Sequence, residues 1–352
     1  MNRIQNRIQA FVQLGTFLSQ FSQKEIIKKD NIAHNDLFFD GFKHQIKLAG
    51  ESNSWFTKEN ILFALESWST ALTSDNLNEW TTQLEGSEKA KTVAIIMAGN
   101  IPLVGFHDFL SVLISGHDVL IKQSSNDKHL LPFIAKYLEF AEPSLKGTIT
   151  FTEQALTDYD AVIATGSNNT ARYFDYYFKD KPNIIRKSRN SVAILTGNET
   201  DKQLEALSDD VFQYFGLGCR SVSKLYVPKG YNFDAFFNGM YAKKELIENA
   251  KYANNYDYNK AVYLMSLFDL LENGFLMLKE DQSYASPIAT VFYEYYEDLE
   301  TLEQKLAADA DKIQCVVSKG VLSNEIEFGK TQKPKLWDYA DGINTLDFLS
   351  KI

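Results

Sequence analysis

From residue 91 onward, short β-branched runs alternate with stretches of helical period. TVAIIMA (92–98), DVLIK (118–122), TITF (148–151), AVIAT (161–165) and VAILT (192–196) read as strands, and the segments at about 104–115, 127–141 and 168–179 read as helices. Near-continuous apolar runs suit strands buried on both faces, so this alternation predicts βαβ units around a parallel sheet. Right-handed crossovers would set the C-terminal strand ends, and any ligand, along one edge. Before residue 91 the period is helical. Ile4, Ile8, Phe11, Leu14 and Phe17 or Leu18 make one apolar stripe, and ENILFALESWSTAL is amphipathic with Thr57 as its candidate cap.

Past residue 200, DKQLEALSDDVFQYF reads as a helix that ends at Gly216 or Gly218. A strand SVSKLYVP (221–228) follows, then helices around 232–272, strand PIATVFY (287–293), a helix at 298–310 and strand IQCVVS (313–318). The pattern predicts residues 1–205 as a helical segment plus a first α/β domain, and 206–318 as a second one. The tail, 319–352, returns to the first domain or joins a partner subunit.

Composition narrows the function classes. A formal net charge of −10 argues against nucleic acid as a partner. Asn, Gln and Arg interrupt the N-terminal apolar stripe, so it is not expected to be a secretory signal, and no run approaches the roughly 18 apolar residues of a membrane helix. Two cysteines and no export signal point to a reducing cytoplasm and disfavour a Cys219–Cys315 disulfide. The five histidines show no H-x-x-x-H spacing and the cysteines no C-x-x-C, so no metal is expected.

Four places could carry chemistry. Cys219, in YFGLGCRS (214–221), follows a glycine turn between a helix and a strand, where a thiol can be exposed and close to free backbone N–H groups, with a buried structural cysteine the plainer alternative. Arg220 beside it would lower a thiol pKa, whereas Cys315 lies inside an apolar strand and reads as core. In ATGSNNTAR (164–172) a strand enters, Gly166-Ser167 turns and a helix leaves, which makes either an anion site or a plain turn capped by Ser167. Lys122 closes a strand where ligand hydroxyls and phosphates bind, or is simply solvated. Asn100, in AGNIPLVG (98–105), either offers an amide to an oxyanion or caps a turn. Of the histidines, His107 is the one placed to approach a pocket, with a structural role the plainer alternative.

Taken in order, Asn-x-Pro, strand-Lys, strand-Thr-Gly-Ser-helix and a Gly-x-Cys loop resemble the aldehyde dehydrogenase superfamily. GNIPLVGFHDFLSVLISGHDVLIKQSS, ATGSNNTARYF, FGLGCRSVSKLYVP and the C-terminal WDYADGINTLDFL resemble its LuxC-type fatty acyl-CoA reductases over about 50–350. The resemblance implies an α/β, aldehyde dehydrogenase-like fold of two domains with open, mainly parallel sheets, a Rossmann-like cofactor domain and a catalytic domain. It implies Cys219 as nucleophile and Asn100 as oxyanion donor, with Lys122, Ser124, Thr165, Gly166 and Ser167 toward the dinucleotide. NADPH is implied in preference to NADH, and the uncharged Gln123-Ser124-Ser125 places no carboxylate against a 2′-phosphate.

Hydrolytic members of the superfamily carry a Glu-Leu-Gly-Gly segment before the cysteine, and a second glutamate ahead of Phe-Gly-Pro. Here the corresponding stretches are Asn183 to Ser188, without a carboxylate, and Ser283 to Pro287, where Glu280 or Asp281 are the only nearby substitutes. Loss of a water activator suits thioester reduction through an acyl-enzyme better than aldehyde oxidation. The implied substrate is an acyl-CoA or acyl-protein thioester, with an acyl-protein synthetase as an implied partner; a homo-oligomer is common in the superfamily, but the β-hairpin arm that usually builds it is not evident in this sequence, which leaves the assembly open. The alternatives are a short-chain CoA-acylating aldehyde dehydrogenase, a non-redox acyltransferase using Cys219, and a non-catalytic dinucleotide-binding subunit.

Overall fold

The computed structural model describes residues 3–84 and 89–352. The chain forms two compact units: Met1–Lys187 with Lys335–Ile352, and Ser188–Pro334.

The first unit opens with helices α1 (Arg3–Leu18), α2 (Asn35–Ser52), α3 (Lys58–Ala71) and α4 (Ser74–Trp80). Helix α1 buries the predicted stripe from Ile4 to Leu18. Thr57 caps α3 by accepting from the Asn60 N–H at 3.3 Å. The α/β part follows as β1 (Thr92–Ile96), α5 (Phe106–Ile114), β2 (Asp118–Lys122), α6 (Leu130–Ala141), β3 (Ile149–Phe151), β4 (Ala161–Thr165), α7 (Asn168–Tyr177) and β5 (Asn183–Arg186). Every pairing is parallel, in the order β3-β2-β1-β4-β5. Phe11 of α1 meets Phe106 and Phe109 of α5 edge-on, with centroids 6.4 Å apart in both cases, so the N-terminal helices share one core with the sheet's own helices.

The second unit comprises β6 (Asn190–Ile194), α8 (Asp201–Phe212), β7 (Val222–Pro228), α9 (Phe233–Met240), α10 (Ala250–Met265), β8 (Leu270–Glu272), β9 (Met277–Glu280), β10 (Thr290–Tyr296), α11 (Leu299–Ala308) and β11 (Ile313–Val317). Its sheet runs β11-β6-β7-β10-β9-β8 and is parallel except for the β8–β9 hairpin. Thr200 and Gln203 form a reciprocal capping box at the start of α8.

The boundary between units lies at Lys187/Ser188, ahead of the expected 205/206, and short-range geometry explains it. Only residues 187–189 separate β5 from β6. A parallel crossover within one sheet takes about a dozen residues or more, so the next strand cannot join the first sheet as a further parallel strand, and the chain passes to the second sheet there. The run 192–196 therefore supplies β6 of the second sheet, and the first sheet's remaining strand is β5, a four-residue element that the sequence pattern does not flag. The tail divides as well, with residues up to Pro334 in the second unit and Lys335–Ile352 in the first.

That terminal segment, including helix α12 (Thr345–Ser350), is fastened by buried polar groups. Arg186, at the end of β5, pairs with Asp108 of α5 at 2.7 Å, their side chains only 6% and 10% exposed. The same guanidinium donates to Ala340 O at 2.8 Å and Thr345 Oγ1 at 3.1 Å. His117 Nδ1 accepts from the Lys91 N–H at 3.2 Å, which leaves Nε2–H to donate to Leu349 O at 3.0 Å. Burial holds the His117 pKa below its ordinary value, matching a neutral ring with one donor and one acceptor used.

Removing one partner of a buried pair strands the other charge. Arg186→Ala should therefore cost about 3–5 kcal/mol in urea unfolding and expose 335–352 to proteolysis. A loss below about 1 kcal/mol with the tail still protected would show that the pair does not hold it.

Candidate active site

Strand β1 sits at the centre of the first sheet, with β2 on one side and β4 on the other. The chain moves outward through β2 and β3, then restarts at β4 and moves the other way, so the order reverses between β1 and β4. Open parallel sheets bind ligands beyond the strand ends at such a reversal. Ile96 is in register with both Lys122 and Ala164, which brings the loops after β1, β2 and β4 together at one edge. These strand ends and loops hold Asn100, Lys122 with Ser124, and Thr165-Gly166-Ser167.

Gly99 allows the first two loops to touch. A Cβ there would lie 2.5 Å from Ser124 Oγ and 2.6 Å from Ser124 Cβ, so any larger residue would push the loops apart. Ser124 Oγ accepts from the Asn126 N–H at 3.2 Å, Lys122 Nζ donates to the Gln154 carbonyl at 3.0 Å, and Asn100 is exposed. Ser167 caps α7, accepting from the Thr170 N–H at 3.2 Å. The first-turn amides and dipole of α7 thus face the end of β4, an arrangement suited to a dinucleotide pyrophosphate. His107 is turned elsewhere. Its Nε2 pairs with Leu336 O at 2.8 Å and its ring lies against Trp80 and Tyr339, so it fastens the terminal segment.

Asp127 is the residue here that sequence reasoning missed. It is buried after β2, and Oδ2 accepts the Leu103 N–H at 2.8 Å, while Oδ1 is buried without a partner. Leu103 has a φ of 58°, so this carboxylate holds the Asn100 loop in a left-handed turn. Burial pushes the Asp127 pKa up to about 6, against the opposing pull of the Leu103 bond.

In the second unit, Cys219 is exposed between a 3₁₀ turn (Gln213–Gly216) and β7. Tyr214 and Phe215 both have left-handed φ, 57° and 58°, followed by Gly216 at 75°. Two such non-glycine residues in succession cost roughly 1–2 kcal/mol each, a strain held by burial of both side chains. Past this elbow, Ser221 N donates to Gly218 O at 3.0 Å, and Ser191 Oγ to Cys219 O at 3.0 Å. Both cysteines are free thiols, and Cys315 is buried in β11. The Arg220 guanidinium, expected beside Cys219, places Nη1 3.4 Å from Cys315 Sγ.

The two stretches without a family glutamate have other work. Asn183–Arg186 is edge strand β5. Tyr284, in the second stretch, donates to Asp309 Oδ2 at 2.7 Å and accepts from Tyr226 OH at 3.1 Å. Asp281 pairs with Lys279 and accepts the Ser283 N–H at 2.8 Å; these contacts outweigh its burial and bring its pKa down to about 2. Nearby, Lys224 is fully buried and donates to Glu294 at 2.7 Å and Gln282 O at 2.8 Å. A lysine inside an apolar strand was the signal for it. Among the described residues no cluster of acidic, His or Cys side chains could hold a metal ion, and no helix is long and apolar enough to cross a membrane.

Two α/β units with these sheets make the aldehyde dehydrogenase fold. The chain superposes on an NAD-dependent benzaldehyde dehydrogenase from Corynebacterium glutamicum with a TM-score of 0.65 at 12% identity, over 91% of this chain and 78% of that one. Aldehyde dehydrogenase 21 from Physcomitrella patens gives a TM-score of 0.64 at 12% identity, over 91% and 74%. Within that fold, residues 16–243 match the family model described as acyl-CoA reductase (LuxC), and the chain belongs to this family. A long-chain acyl-protein thioester reductase from Aliivibrio fischeri is 25% identical over 235 residues, 58% of this chain and 47% of that protein, so the match spans about half of that relative. The family match begins at residue 16, ahead of the 50–350 stretch of the motif resemblance, and takes in Asn100, Lys122, Ser167 and Cys219.

The Asp127 carboxyl supplies a pH test. An acid whose folded pKa is raised contributes most stability below its unfolded value of 3.8 and loses that contribution as pH rises through about 6. Asp127→Asn keeps an acceptor for Leu103 and cannot ionise. Its stability relative to wild type should improve by up to about 3 kcal/mol as pH rises from about 4 to about 7. A difference that is flat across that range would show that Asp127 ionises freely in the folded protein.

Proposed function

We propose that this protein reduces an acyl thioester, acyl-CoA or acyl-protein, to a long-chain aldehyde through an acyl-enzyme on Cys219. The observation that carries the reading is the exposed Cys219 on a strained elbow, in a chain of the acyl-CoA reductase family. The name of the Aliivibrio fischeri relative favours a long acyl chain.

The Cys219 thiolate attacks the thioester carbonyl, forms a new S–C bond and expels the acyl donor's thiolate. The Cys219 N–H and the Asn100 amide stabilise the oxyanion, and a single such donor is typically worth about 2.7–4 kcal/mol. NADPH, when bound, supplies the hydride that converts the acyl-enzyme to a thiohemiacetal. Lys122 and Ser124 would hold a ribose of that dinucleotide, and Thr165, Gly166, Ser167 and the α7 amides its pyrophosphate. Cys219 then leaves as thiolate, breaking the C–S bond and releasing the aldehyde. One hydride and one proton are consumed for each thioester reduced. No carboxylate occupies residues 183–188 to activate water, which keeps the acyl-enzyme from hydrolysis.

Cys219→Ala should abolish covalent labelling by radioactive acyl-CoA and aldehyde-forming NADPH oxidation together. Labelling that persists in this variant overturns the nucleophile. A panel of acyl-CoAs should give highest kcat/KM for long chains, with NADPH preferred to NADH; a short-chain optimum would instead favour a CoA-acylating aldehyde dehydrogenase. Acylation without NADPH consumption would indicate an acyltransferase.

A further inference from the structure

The loop that presents Cys219 has little ladder support of its own, yet it is held from one side by a segment more than a hundred residues away. Gln332 Nε2 donates to Ser221 Oγ at 3.2 Å, and Gln332 Oε1 lies 3.8 Å from where a Gly218 Cβ would stand. One amide therefore lies against both ends of the Gly218–Ser221 turn that contains the thiol. Gln332 and Ser221 are both buried.

The segment bearing Gln332 is fixed by a second buried group. Asp210 of α8 accepts the Gly329 N–H at 2.6 Å on Oδ2, and the Thr331 N–H at 2.9 Å and hydroxyl at 2.8 Å on Oδ1. Asp210 and Thr331 have no exposure, so the two Thr331 donors have no water to replace the carboxylate. Gly329 adopts a φ of 77°, and Ala206 Cβ lies 3.1 Å from where its own Cβ would be, so only glycine lets the segment sit this close to α8. A chain of contacts runs from α8 through 329–331 to Gln332 and on to the nucleophile turn.

We propose that Gln332, anchored by Asp210 and Thr331, is a positioning residue for the Cys219 turn that aims the backbone N–H of Cys219 at the thioester oxyanion. This rests on Cys219 being the nucleophile. Oxyanion donors act only within about 2.7–3.1 Å of the developing charge, so a small tilt of the turn affects acylation strongly. Alkylation of the same thiol by iodoacetamide develops no oxyanion and needs only an accessible sulfur.

The test compares these two reactions in the full chain, with radiolabelled myristoyl-CoA for acylation and iodoacetamide for alkylation. Gln332→Ala should slow acylation about ten- to a hundredfold while alkylation changes less than about threefold. Ser221→Ala, which removes the acceptor, should do the same. The double variant should be no slower than the worse single one, because both remove one contact. Acylation at the wild-type rate in both single variants, equal losses in both reactions, or additive losses in the double variant each overturn the positioning role. If Cys219→Ala is still acylated, or wild type is not, the nucleophile assignment fails and the proposal falls with it.

Discussion

Strand β1 takes hydrogen bonds from parallel neighbours on both sides, and that arrangement limits what the first unit can build. Parallel strands joined by right-handed crossovers end on the same edge, so the loops after β1, β2 and β4 meet whatever their sequences. Lys122 and Thr165, more than forty positions apart, become neighbours of the same strand for this reason alone. The same rule explains where the chain changes sheets. The three residues after β5 cannot form a crossover, and the second unit begins there.

Loops at strand ends have few ladder bonds, and this protein stiffens them with buried carboxylates. Asp127 holds the Asn100 loop through Leu103, Asp210 holds 329–331, and Asp108 holds Arg186 and through it the terminal segment. Each accepts a hydrogen bond from a group remote in sequence, and each costs desolvation that only those partners offset. Burial pushes the Asp127 and Asp210 pKa values up to about 6, a measure of that cost. The left-handed Tyr214-Phe215 pair is a further cost at the same kind of place. Its buried rings hold the backbone in a shape that leaves Cys219 exposed.

The proposed chemistry rests on what lies around the thiol and what does not. Members of this fold that oxidise aldehydes need water brought to the acyl-enzyme. Here the stretches that would supply a carboxylate are an edge strand ending in a buried, paired arginine, and a turn whose Tyr284 is bonded to Asp309. A thioester reductase needs no such base, only a thiol, an oxyanion site and a hydride donor, and the family to which the chain belongs is named for that substrate class.

The element types, most strand positions, the Thr57 and Ser167 caps, the exposed Cys219 and the buried Cys315 were legible in the sequence, because period, turn chemistry and β-branching act over a few residues. Asn100, Lys122 and Gly166-Ser167 were legible as strand-end residues for the same reason. Tertiary structure alone decided which sheet 190–194 joins, that β5 exists, and that Arg220 reaches Cys315 and His107 reaches Leu336. It also decided the partners of Asp127, Asp210, Lys224 and Gln332. Those partners lie far along the chain, and a buried polar group is defined by the partner that satisfies it. Cys219 could be found from eight residues of sequence; what holds it in place could not.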